Sequence, residues 1–117
     1  MSPSHFDEAF CPAYHEAVEL IGRRWSGAIL RALMFGATRF GEIRGLVPDL
    51  TDKMLAARLK ELEAEGLVRR EVIPDTPVRI EYRLTDKGRD LEHAVAALSE
   101  WADRWIPDAH PADPHRG

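Results

Sequence analysis

The chain has 117 residues, 44% apolar and 31% charged, which fits one domain with one core and leaves no apolar run long enough to cross a bilayer. The net charge of -4 hides an asymmetry: residues 1–22 carry four acids and no Lys or Arg, residues 23–89 carry fourteen Lys and Arg against ten acids, and residues 90–117 carry two against six. A single cysteine, Cys11, excludes an intrachain disulfide framework and a cysteine-rich zinc site, leaving an intermolecular disulfide or a reactive thiol open.

At the start, MSPSHFDEAF lacks the basic opening and apolar stretch of a secretory signal, so a soluble cytoplasmic protein is expected. The first helix should open at Pro12, a residue favoured at the first helical position, and run through Ala17, Val18, Leu20 and Ile21 to Gly22. A second carries Trp25, Ile29, Leu30 and Leu33 and ends at Gly36. Thr38 can cap a third that buries Phe40, Ile43 and Val47, until Pro48 and Asp49 break it. Thr51 then caps a fourth, with Asp52 complementing the dipole of its first turn. Leu55, Leu59 and Leu62 form its buried stripe, and Gly66 stops it. Its opposite face carries Lys53, Ala57 and Lys60.

The period then changes from helical to two. VRREVI, the turn PDTP, and Val78, Ile80, Tyr82 and Leu84 alternating with Arg79, Glu81 and Arg83 predict a half-buried antiparallel hairpin. Finally, Thr85 can cap a long helix in which Leu91, Ala94, Leu98, Trp101 and Trp105 recur at steps of three and four, a seam suited to a partner helix. The Pro-rich tail PDAHPADPHRG is expected to be disordered. Helix, turn, helix, hairpin is winged helix-turn-helix order, mainly α with a small β-hairpin wing.

A helix presented after a tight turn fits the major groove of double-stranded DNA, where side chains read base edges while cations and backbone N–H groups hold phosphates. Thr51, Lys53, Met54 and Ala57 lie at the N-terminal exposed end of the fourth helix, closest to bases. Arg58 lies at the flank of the buried stripe, where it reaches either a phosphate or an acid such as Glu61 or Glu65. Arg39 and Arg79 are the phosphate candidates outside that helix, whereas Arg69, Arg70 and Arg83 are expected to pair with Glu71 or Glu81 in the hairpin stem. An N-terminal helix dipole favours a Cys11 thiolate and nearby Asp7 and Glu8 oppose it, so Cys11 reads either as a sensor or as a small apolar residue. Trp25, Trp101, Trp105, Phe35 and Tyr14 are candidates to line an effector pocket or simply to fill the core.

Enzyme chemistry finds little support. HEAVE at 15–19 begins like a zinc-protease helix but has Glu19 in place of the second His, and no glycine-rich phosphate loop or Ser-centred elbow is present. No catalytic residue, metal or cofactor is assigned. The alternative to a DNA binder is a ligand- or protein-binding winged-helix module without DNA binding, which the acidic net charge supports and a flat salt response would reveal.

From Cys11 to Trp105 the chain resembles the HxlR-type winged-helix regulators of bacteria. The resemblance runs in order through CP at 11 and 12, IGRRW at 21–25, Leu33 and Gly36, RFGEIRG at 39–45, LTDKMLAARLKELEAEGLV at 50–68, PVRIEYRLTDKG at 77–88, and Trp101. It implies a homodimer built by the first and last helices, binding a pseudo-palindromic operator with the helix from Thr51 in the major groove. It also places Lys53, Met54 and Arg58 in the recognition helix, Arg39 in the helix before it, and Cys11 where some relatives carry a sensor of oxidants or electrophiles. Other relatives respond to different signals, so a small-molecule effector stays open. Two features depart from the pattern: Asp52 either repels a phosphate or accepts from a cytosine amino group, and the N-terminal arm has no cation to stabilise a thiolate, a role left to Arg23 and Arg24 through space. The expected organisation is one domain over 1–106, with an arm at 1–11, helix-turn-helix at 38–65, wing at 67–84 and dimerisation helix at 85–106, then the tail at 107–117.

Overall fold

A computed structural model describes residues 11–106; the arm before Cys11 and the tail from residue 107 lie outside the described residues. Helix α1 (Pro12–Gly22) starts on the proline and ends on the glycine expected for it, yet buries none of its residues. Helix α2 (Ser26–Met34) is the centre of the core, with Ile29 and Leu30 fully buried, and it touches α1 and most of the later elements. Between them Trp25 takes a left-handed conformation, φ 76°, which bulky residues seldom adopt.

Helix α3 (Phe40–Leu46) buries Ile43, and Val47 closes it from the core side. Its cap differs from expectation: Arg39, not Thr38, is the N-cap residue. Glu42 accepts from the backbone N–H groups of Thr38 (3.0 Å) and Arg39 (2.9 Å), so a carboxylate from inside the helix takes the place of the threonine hydroxyl. Helix α4 (Asp52–Ala64) starts as expected, with Thr51 Oγ1 accepting from Met54 N–H at 3.1 Å, and it packs through Leu55, Leu59 and Leu62.

Strands β1 (Val68–Ile73) and β2 (Arg79–Leu84) pair antiparallel, from Val68 opposite Leu84 to Ile73 opposite Arg79. Tyr82 N–H donates to Thr38 O at 2.7 Å, tying β2 to the entrance of α3. The alternation is only half realised. Leu84 is buried and Tyr82 packs on the core, but Val72, Val78 and Ile80 lie beyond the edge of the helices and are exposed, while Glu81 is buried between arginines.

The long C-terminal helix is broken. Thr85 caps a single turn, α5 (Asp86–Arg89), and a separate α6 (Glu92–Trp105) begins after Leu91. The break has a physical cause, because α5 is committed to closing the end of α4. Thr85 Oγ1 donates to Gly66 O, Lys87 Nζ donates to Glu65 O (2.7 Å), and Gly88 presses on the Leu67 carbonyl. Among the described residues no helix is long and apolar enough to cross a membrane.

Candidate nucleic-acid interface

The turn between α3 and α4 puts the N-terminal end of α4 outward. Thr51, Lys53, Ala57 and Lys60 are exposed along it, opposite the leucine stripe. Met54 is half-buried against the core, so only part of its side chain faces out. Arg39 is exposed at the corner where α3, the turn before it and β2 meet. No ion pair among the described residues joins Arg39, Lys53, Lys60 or Arg70.

Arg58 does not belong to this face. Its side chain is only 18% exposed, its Nε donates to Arg24 O at 3.0 Å, and its Nη1 lies 3.2 Å from Glu61. Arg23 reaches the same carboxylate at 3.5 Å. Of the two readings open to Arg58, pairing is therefore the one realised, and its place on the flank of the leucine stripe turns it toward the elbow between α1 and α2.

Three of the four arginines of the wing are matched to its three carboxylates. Arg79 spans Asp75 (2.7 Å) and Glu81 (2.9 Å), Arg83 binds Glu81 (2.7 Å), and Arg69 binds Glu71 (2.7 Å). Arg79 is thus engaged as a carboxylate partner rather than free at the tip. The hydrogen bond from Arg83, helped by that from Arg79, holds the Glu81 carboxyl below the ordinary range and outweighs the opposing effect of desolvation. The backbone N–H groups of Thr38 and Arg39 likewise lower Glu42. Arg70, on the other face of the sheet opposite Tyr82, takes no part in the ladder expected for it.

Two cations matter here that the sequence does not single out. Arg70 reads like the paired stem arginines, and only the register shows that it shares no face with Glu71 or Glu81. Arg44, in the last turn of α3, lies with Nε 2.6 Å from Asp52 Oδ1; a cation at one helix end followed by an acid at the start of the next is the available signal.

Away from this face, Cys11 is exposed at the N-cap of α1. An eleven-residue helix is about 16 Å long, so within one chain Arg23 and Arg24 sit at its far end and cannot serve the thiol; Arg24 instead stacks over Trp25 at 5.0 Å. Along α6, Ala94, Leu98, Trp101 and Trp105 form an exposed stripe, whereas Leu91 turns inward onto its own core and Val95 is buried. The five aromatics expected around an effector pocket do not converge. A shallow cavity of about 300 Å³ between α2 and α6 takes in Phe35 alone of them, with Met34, Val95 and Ala96. Trp25 packs on the core, its indole N–H buried without a partner among the described residues. His15 Nε2 lies 3.2 Å from Glu19, and the described residues hold no group of three metal-ligating side chains.

The family model for HxlR-like helix-turn-helix proteins matches residues 20–110. The chain is 49% identical over 96 residues to YvaP, an uncharacterised HTH-type transcriptional regulator of Bacillus subtilis strain 168, spanning 82% of this chain and 89% of that one. It is 45% identical over 95 residues to the HTH-type transcriptional regulator YodB of the same strain, spanning 81% and 85%. Among solved structures, the reduced form of YodB superposes with a TM-score of 0.74 at 43% identity, over 89% of this chain and 99% of that one. The redox regulator HypR in its oxidised form gives 0.74 at 39% identity, over 80% and 96%.

Proposed function

The chain belongs to the HxlR-like helix-turn-helix family and is a DNA-binding transcriptional regulator, and from that premise we propose that it acts in the cytoplasm as a homodimer on a pseudo-palindromic operator. The observation that carries the reading is the outward end of α4, where Lys53 has no ion pair among the described residues, beside a capped helix N-terminus, and small Ala57 permits close approach. Thr51, Lys53, Met54 and Ala57 read base edges, and Arg39 holds a phosphate. Arg58 and Arg79, engaged with the protein's own carboxylates, position α4 and the wing instead of touching DNA.

The dimer is supported by α1, which packs only Leu20 on the core and leaves residues 12–19 exposed, and by the stripe of Leu98, Trp101 and Trp105, each more than half exposed. Cys11 is the sensing residue. It is exposed at the tip of α1, a proposed dimer helix, and solved structures of the relative YodB include a reduced, a diamide-treated and a quinone-bound form. Modification of the thiol would reach DNA affinity through the dimer helices.

Anisotropy titration against duplex from upstream of its own gene tests this, reduced and after diamide. Arg39→Ala removes one phosphate contact from each subunit, so it should weaken binding similarly across sequences and flatten the log-log salt slope by about two, and Lys53→Ala should cost about tenfold on the operator. Wild-type affinity in both variants would refute the interface; release by diamide that persists in Cys11→Ser would refute the sensor.

A further inference from the structure

The α3–α4 turn holds an acid where a DNA binder has least use for one. Asp52 is the first residue of α4, its side chain 73% exposed, between the base-facing Thr51 and Lys53. Bare, it would repel the phosphates flanking the groove. It is not bare, because Arg44 Nε meets its Oδ1 at 2.6 Å from the last turn of α3. With the two side chains 50% and 73% exposed, such a pair adds little to stability, so its consequence is for local charge and direction.

We propose that Asp52 is a specificity-determining residue that accepts from a cytosine amino group at the major-groove edge, and that Arg44 is the positioning residue that aims the carboxylate and cancels its repulsion of phosphate. The chemistry fits on both sides. Cytosine N4 is the major-groove group that a carboxylate recognises, and Oδ2 stays available while Oδ1 faces Arg44. A guanidinium has five N–H donors, more than one carboxylate can use, so Arg44 can keep Asp52 and still meet a phosphate. Lys53 lies one residue further along α4, which would place the carboxylate and the ammonium over neighbouring base pairs. The inference rests on the DNA-binding role of α4.

Selection of bound duplexes from a randomised pool, with wild type and Asp52→Ala, tests it and yields the operator motif in the same experiment. The wild-type motif should hold a C·G pair in each half-site that becomes unspecified in Asp52→Ala, with discrimination there falling about tenfold while affinity for random duplex rises. Arg44→Ala should weaken binding to operator and random duplex alike, Arg44→Lys should retain part of it, and Asp52→Ala added to Arg44→Ala should restore affinity for random duplex. A purely structural pair would instead shift melting and leave every base preference intact. An unchanged motif in Asp52→Ala, or no recovery in the double variant, overturns the proposal. Failure of wild type to enrich any sequence would overturn the reading of α4 itself.

Discussion

Gly88 shows how tightly the end of the recognition helix is closed. A Cβ at this position would stand 2.2 Å from Leu67 O, 3.1 Å from Leu84 Cδ2 and 3.2 Å from the Leu67 carbonyl carbon. The first of these lies more than about 1 Å inside ordinary contact, and the atom it meets is buried backbone that cannot swing aside. Leu67 O also accepts from Thr85 N–H at 3.0 Å, and Gly88 N–H donates to Thr85 Oγ1 at 3.1 Å, so any relief stretches the hydrogen bonds that join α5 to β1. Overpacking costs about 1–3 kcal/mol and a weakened hydrogen bond about 1 kcal/mol, against a helix-propensity gain of about 0.5–1 kcal/mol. Gly88→Ala should therefore destabilise by about 1–3.5 kcal/mol. Gly45, in α3, has nothing within 4 Å of its notional Cβ, so Gly45→Ala should stabilise by about 0.5–1 kcal/mol. Urea unfolding at matched protein concentration reads both values, because a dimer makes stability concentration-dependent. A Gly88→Ala midpoint equal to wild type would refute the close-approach argument.

Two further outcomes are expected. Glu42 and Glu81 are lowered in the folded protein by hydrogen bonds from backbone N–H groups and from Arg83 and Arg79, so their stabilisation is complete above the ordinary carboxylate value and lost as pH falls through the lowered one. Unfolding midpoints followed from neutral pH to about pH 3 should fall less steeply in Glu42→Gln and Glu81→Gln than in wild type; parallel curves would contradict the assignment. Trp101→Ala with Trp105→Ala should raise the dimer dissociation constant at least about a hundredfold by sedimentation equilibrium while leaving the monomer folded by circular dichroism, and an unaltered constant would exclude α6 from the interface.

Whatever depends on neighbours along the chain is legible in the sequence. Pro12 and Gly22 bound α1, Thr51 caps α4, and the Leu55, Leu59 and Leu62 stripe is the buried face, each through local chemistry or period. Apart from the α3 cap, where Glu42 three residues on from Arg39 supplies the acceptor in place of the expected Thr38, the misreadings arise where contacts distant in sequence decide. The seam from Leu91 to Trp105 reads as one continuous helix from Thr85 because nothing local reveals that Gly88 must touch Leu67, and that contact ends α5 after one turn. Arg58 has the right position for a DNA contact by helical phase, but Arg24 O, far away in sequence, claims its Nε. The hairpin alternation fails toward its tip because the helices do not extend that far, leaving Val72, Val78 and Ile80 without a cover. Of the candidate site, Lys53, Ala57 and Arg39 lie where the sequence places them, whereas the engagement of Arg79 needed its pairing, with that of Arg83, on Glu81 to be seen.

Which cations are paired and which are not resolves the tension between an acidic protein and a polyanionic ligand and sets a number on the interaction. Counterion release scales with cations brought to phosphates, not with net charge. On the helix-turn-helix and wing, Arg39, Lys53, Lys60 and Arg70 have no ion pair among the described residues, while Arg69, Arg79 and Arg83 are each matched to a carboxylate. With Arg44, which can meet a phosphate while it keeps Asp52, those first four make five cations in each subunit of a dimer, and if each met a phosphate the log-log salt slope would be about -9. Base-reading by Lys53 and the place of Lys60 two turns into α4 both make it shallower, so about -9 is a ceiling on steepness for the wing as it stands. A steeper slope would mean that Arg79 and Arg83 leave Glu81 when DNA binds. Glu81 would then be a buried carboxylate stripped of its partners, a cost that wing contacts would have to exceed. Salt titration of wild type and Arg79→Ala separates the cases: equal slopes keep the ladder closed on DNA, and a slope flattened by about two in the variant, one contact from each subunit, requires it to open.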